Sequence, residues 1–168
     1  MLIDAETLYE IIQETWSSTL GFPVDRPGPE ELSMANAVTV CVKIGGAWEG
    51  EVRLHCSPQL GRLIASTIFQ VDSDQVGNDE IFDALSELTH IVGGNLKALL
   101  PQPVTLCFPS LADPTNWSQT TPQWQMVCRL VLASRGHPFV ITLLGDRPGG
   151  IEPVIPGEGD SPRATQNV

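Results

Sequence analysis

The chain has 168 residues, room for one domain of ordinary size, and 42 % of them are apolar, enough for a packed core. Twenty acids against nine bases give a formal charge of −11. That field repels phosphate backbones and anionic lipid, which argues against nucleic acid and membrane partners and favours a small cationic ligand or a protein with a basic face. No apolar run approaches the ~18 residues that read as a membrane span. Met1–Glu6 lacks the basic start and apolar stretch of a signal peptide, so the expected location is cytoplasmic.

In chain order, the first helix is expected from about Asp4, a candidate N-cap, to Ser18. Leu8, Ile11, Ile12 and Trp16 would supply its apolar face, and Gly21 and Pro23 its end. Phe22–Glu31, with three prolines, reads as a loop. Val38, Val40, Val42 and Ile44 alternate with Thr39, Cys41 and Lys43, then Gly45-Gly46 turns the chain. Val52, Leu54 and Cys56 alternate with Glu51, Arg53 and His55, so this hairpin is expected to keep one face wet. Ser57-Pro58 opens a second helix carrying Leu60, Leu63, Ile64 and Ile68.

A longer helix is expected over Asn78–Leu100, stopped by Pro101, followed by a short strand Val104–Phe108 and a polar loop through Pro122. Trp124–Ala133 and Pro138–Leu144 read as a hairpin of central strands, apolar on both faces and covered on both sides or by another subunit. Residues 1–145 thus form one domain that carries sixteen of the acids and seven of the bases. Residues 146–168, rich in Pro and Gly and lacking aromatics, read as a disordered tail.

Cys41, Cys56, Cys107 and Cys128 are far apart, with no CxxC pair, and are expected as buried thiols rather than a zinc site or a disulfide framework. The sequence holds no GxGxxG, no GxxxxGK[ST] and no GxSxG. The scattered tryptophans are expected in packing roles, and His137 needs no role beyond its turn.

The helix over 78–100 carries the chemistry. At about 100° per residue, Ile81, Leu85, Leu88, Val92, Leu96 and Leu99 form a continuous core stripe. Opposite lie Asp83, Glu87, His90, Gly94 and Lys97, at successive spacings of 4, 3, 4 and 3. Such a stripe is ordinarily just the wet side of a helix. Two features set this one apart. Gly93-Gly94 sits inside the helix, where each glycine costs ~1 kcal/mol relative to alanine, and Gly94 lies on the polar stripe, where a missing side chain lets a partner come close. Glu87 and His90, one turn apart, can meet a single small group, which suits either a basic partner or water activation.

Asp83-Ala84-Leu85-Ser86-Glu87-Leu88-Thr89-His90-Ile91-Val92-Gly93-Gly94-Asn95-Leu96-Lys97 resembles the signature helix of the CheC/CheX/FliY chemotaxis phosphatases. That signature reads Asp or Ser, three residues, Glu, two residues, Asn, often followed by Gly-Asn and a basic residue. The opening helix, ending Glu14-Thr15-Trp16-Ser17-Ser18-Thr19-Leu20-Gly21, is similar to that of the CheX branch, and the element order matches over about residues 4–145. The resemblance implies an α/β (α+β) single domain, a mostly antiparallel sheet with two long helices on one side, dimerising through its sheets. It implies phosphatase activity on the aspartyl phosphate of a CheY-like response regulator, with Mg²⁺ held by the regulator and no cofactor of the chain's own. Glu87 would pair with a lysine of the regulator, and Asp83, Gly94 and Lys97 would belong to the docking face. The Asn that orients the attacking water in the family is here His90. Either the imidazole takes over that task, or the chain is a non-catalytic adaptor or flagellar-switch-type module binding through the same face.

Overall fold

The computed structural model describes residues 3–26, 36–112 and 124–146. The expected tail beyond Asp146, most of the first loop and most of the loop before Trp124 lie outside these residues, as does Trp117.

Helix α1 (Ala5–Leu20) starts where Asp4 Oδ1 accepts the Thr7 N–H at 2.8 Å and stops at Gly21, whose φ of 68° is the left-handed value that favours glycine. Strands β1 (Val38–Gly46) and β2 (Gly50–Cys56) form an antiparallel hairpin; β1 runs on through Gly45-Gly46, so the turn falls at 47–49 instead. Helix α2 (Pro58–Phe69) has Pro58 in its first turn and Ser57 as its cap, the hydroxyl accepting the Leu60 N–H. A 3-10 turn at Ser73–Gln75 leads into α3 (Asn78–Lys97), where the Glu80 carboxylate accepts the Gly77 N–H at 3.0 Å.

The strand expected at Val104–Phe108 is split. β3 (Val104–Leu106) and β4 (Ser110–Leu111) both pair with β1, separated by a step at Phe108-Pro109, where proline has no N–H to donate to a ladder. β5 (Gln125–Ser134) and β6 (His137–Gly145) complete a six-stranded antiparallel sheet of order β3-β1-β2-β6-β5, with β4 beside β3 on β1. The central-strand expectation holds for β6 and fails for β5, which is an edge strand with Met126 and Arg129 exposed.

Three helices, not only two long ones, bury their apolar stripes on one sheet face. Leu8, Ile12 and Trp16 of α1, Leu60 and Ile64 of α2, and Ile81, Leu85, Leu88, Val92 and Leu96 of α3 are all fully or nearly fully buried. The Trp16 indole stacks on Phe139, ring centroids 4.8 Å apart, and so fastens α1 to β6. Trp48 packs over Gly50 and Gly145 at the end of the sheet, where a Cβ on either glycine would collide with the indole.

The other face of β1 and β2 is not wet, contrary to expectation. Glu51, Arg53 and His55 are only 2 %, 6 % and 1 % exposed, and Thr39 and Cys41 are buried beside them. The polar alternation assigned these residues to one face correctly; burial there is met by pairing. Arg53 Nε donates to Glu51 Oε1, and Thr39 Oγ1 shares a hydrogen bond with His55 Nδ1, while His55 Nε2 is buried with no hydrogen-bond partner among the described residues. Burial pushes the His55 pKa below the ordinary imidazole value, with the Arg129 charge adding to the effect. The cysteines are all free thiols; Cys41, Cys56 and Cys128 are buried as expected, but Cys107 is exposed because it sits at the β3–β4 step on the sheet edge.

Candidate functional site

Helix α3 crosses the β1–β3 side of the sheet and turns the polar stripe outward. Asp83, Glu87, His90 and Gly94 are exposed, Lys97 is half-buried, and the facing stripe from Ile81 to Leu96 is in the core. The stripe is therefore held on a stiff element by roughly five turns of packed apolar side chains. Among the described residues, the side chains of Asp83, Glu87 and His90 make no hydrogen bond or ion pair. Their polar atoms are available to a partner.

The two helix glycines separate into different roles. A Cβ on Gly93 would sit 3.6 Å from both methyls of Leu106 and 3.7 Å from Val42, so Gly93 lets α3 lie close over β1 and β3. A Cβ on Gly94 would meet nothing within 4 Å. Packing within the chain explains the first glycine and gives no reason for the second. Asn95 is exposed but lies about 100° round the helix from Gly94, outside the stripe.

The helix also places a residue that periodicity did not single out. Ser86, one turn before His90, has its Oγ shielded from solvent and without a hydrogen-bond partner among the described residues. A serine inside a helix carries no distinctive signal, so nothing in the sequence marks it. No group of three His, Cys, Asp or Glu side chains among the described residues is placed to hold a metal ion. Asp83, Glu87 and His90 offer instead an open row of two carboxylates and one imidazole. Such a row can pair with a cationic side chain and hydrogen-bond a water beside it.

The family model for the chemotaxis phosphatase CheX matches residues 38–141, more than half of the chain. The chain belongs to the CheX family. Solved structures agree on the fold. The CheX–CheY–BeF3–Mg²⁺ complex from Borrelia burgdorferi is 14 % identical, covers 87 % of this chain and 99 % of that one, and superposes with a TM-score of 0.65. The CheX of Vibrio vulnificus is 13 % identical over 84 % of this chain and 95 % of its own, with a TM-score of 0.66. FliY of Thermotoga maritima is 17 % identical over 87 % and 92 %, with a TM-score of 0.50. No curated protein matches the sequence. The matched region contains both β1 and α3, so the stripe from Asp83 to Lys97 lies within the part of the chain that defines the family. No helix among the described residues is long and apolar enough to cross a membrane.

Proposed function

We propose that this CheX-family chain accelerates hydrolysis of the aspartyl phosphate on a CheY-like response regulator, in chemotaxis or a related two-component pathway of the cytoplasm. The observation that carries the reading is the placement of Glu87 and His90: exposed, one helical turn apart on one face of α3, and without partners of their own. Glu87 pairs with a lysine of the regulator and fixes the docked geometry. His90 hydrogen-bonds the water that attacks phosphorus in line; the bond to the regulator's carboxylate oxygen breaks and inorganic phosphate leaves. The Mg²⁺ that neutralises the phosphoryl oxygens belongs to the regulator. Catalysis of this kind is positioning and electrostatics, with no covalent intermediate on this chain. Asp83, Gly94 and Lys97 border the same contact, Gly94 by leaving room and Lys97 as the one cation on an acidic stripe.

The test is the decay of a phosphorylated CheY-like regulator from the same genome in Mg²⁺, with and without the protein. Faster decay that disappears in Glu87→Ala and His90→Ala is expected; unchanged rates with the wild-type protein would sink the phosphatase reading. One observation favours a second reading, a binding adaptor: an imidazole stands at residue 90, where the family signature has a carboxamide. An adaptor would bind the regulator through Glu87 without changing its decay, and His90→Asn would then add activity. The reading includes a homodimer joined through the sheets. Support for it is Met126, an apolar side chain 56 % exposed on edge strand β5, on the sheet face opposite the helices. Light scattering on the purified chain would give twice the monomer mass, and a monomer at micromolar concentration would refute this part.

A further inference from the structure

Phe108 is 95 % exposed, the most exposed large apolar side chain among the described residues. Its place is fixed by the β1 ladder. The Cys107 N–H donates to the Lys43 carbonyl at 2.8 Å, and Ser110 pairs with Cys41, so Phe108-Pro109 stands opposite Val42. Val42 and Leu106 are the side chains that Gly93 packs against. Phe108 therefore lies on the sheet edge two residues beyond Leu106, the side chain over which Gly93 brings α3 close. Leu111, three residues on, is 66 % exposed on the same edge. An isolated exposed apolar residue needs no explanation, but Phe108 and Leu111 together on the strand edge beside the helix that carries unpaired carboxylates have the layout of an interface. Large aromatic anchors dominate binding energy, and neighbouring polar groups fix register.

We infer that Phe108 is the apolar anchor of the docking surface on this chain and inserts into an apolar depression on the response regulator. This rests on the reading that the α3 stripe meets such a regulator. A second copy of this chain is the poorer occupant. It would bring the acids of two equally negative domains, Asp83 and Glu87 among them, to one edge, whereas a lysine-bearing regulator complements them. Phe108 then acts on affinity and on the choice of regulator, while Glu87 fixes the docked geometry and His90 acts on the rate.

The experiment titrates full-length protein against the regulator held in its active form with beryllofluoride and Mg²⁺, and in parallel measures dephosphorylation against protein concentration. Phe108→Ala is expected to weaken binding at least tenfold and to raise the half-saturating concentration far more than it lowers the saturated rate. Phe108→Leu should recover most of the loss. Because the ring is exposed, the thermal midpoint should not move, which separates docking from folding. Phe108→Ala binding like wild type, while Glu87→Ala still abolishes acceleration, overturns the anchor and leaves the phosphatase reading intact. A dimer that becomes a monomer in Phe108→Ala, with regulator affinity unchanged, assigns the residue to a second copy and also overturns it. Wild-type protein that neither binds nor accelerates any regulator of the same genome removes both.

Discussion

Replacing Gly94 and Gly93 by alanine separates stability from docking within two adjacent residues. Neither glycine has a positive φ, so alanine fits the backbone at both sites. A Cβ at residue 94 meets nothing within 4 Å, and one at residue 93 makes ordinary contacts at 3.6–3.7 Å with Leu106 and Val42. Each substitution should then stabilise α3 by the helix-propensity difference, about 0.5–1 kcal/mol. For a domain of this size that raises Tm by about 1–4 °C, read by calorimetry. In the dephosphorylation assay the two should diverge. Gly93→Ala faces the sheet and should leave regulator decay unchanged. Gly94→Ala puts a methyl where the partner must approach, and forcing a methyl into a close-packed contact costs about 1–3 kcal/mol, roughly a five- to 150-fold rise in the half-saturating concentration. A more stable but poorly docking Gly94→Ala is the expected outcome. Equal effects of the two substitutions in the assay, or a lowered Tm for Gly94→Ala, would refute the reasoning.

Asp83 and Glu87 are like charges at i, i+4 without an ion-pair partner, so Asp83→Asn should add about 0.2–0.5 kcal/mol in denaturant melts while weakening regulator binding. His55 has its pKa lowered by burial and by Arg129, so the unfolded chain takes up the proton first. This stability is full above the unfolded value of about 6.5 and is lost as pH falls towards the lower folded value. Tm should drop between pH 7.5 and 5, and His55→Gln should flatten that drop. A thiol reagent should titrate one cysteine, Cys107, in the native protein and all four after unfolding, since the other three are buried and burial pushes the Cys56 pKa up to about 12. Ser57→Ala removes the cap hydrogen bond to Leu60 and should cost about 1 kcal/mol in the same melts.

The helices were legible because their signals are local. Asp4 and Gly21 bracket α1, Ser57-Pro58 opens α2, and the α3 apolar stripe repeats for five turns. The strands were legible as strands, with the correct residues on each face, because alternation is a property of the backbone. What alternation cannot carry is whether a face is covered. Glu51, Arg53 and His55 read as wet, yet their burial depends on what lies over the sheet and on partners such as Thr39 in a different strand. The position of a strand in the sheet is equally non-local. β5 and β6 carry similar apolar runs, and only the pairing of β6 with β2 makes one central and the other an edge.

The candidate site shows the same division. The positions of Asp83, Glu87, His90 and Gly94 followed from helical spacing, and the structure leaves all four exposed on one face. Phe108 reads as the end of a strand, because nothing in Val104–Phe108 shows that the ladder breaks at Pro109 and strips the ring of neighbours. Gly94 is the residue where both kinds of information meet. Its spacing places it on the stripe, and the fold leaves no described residue within 4 Å of where its Cβ would be. A helix-destabilising residue whose added Cβ would meet nothing within 4 Å, on the same stripe as unpaired carboxylates, is what the proposed docking requires. Among the described residues, Asp83 and Glu87 make no ion pair, and Lys97 is the one cation on their stripe. On the proposed reading, the open position at Gly94 and the unpaired carboxylates would both meet a lysine-bearing surface laid against α3.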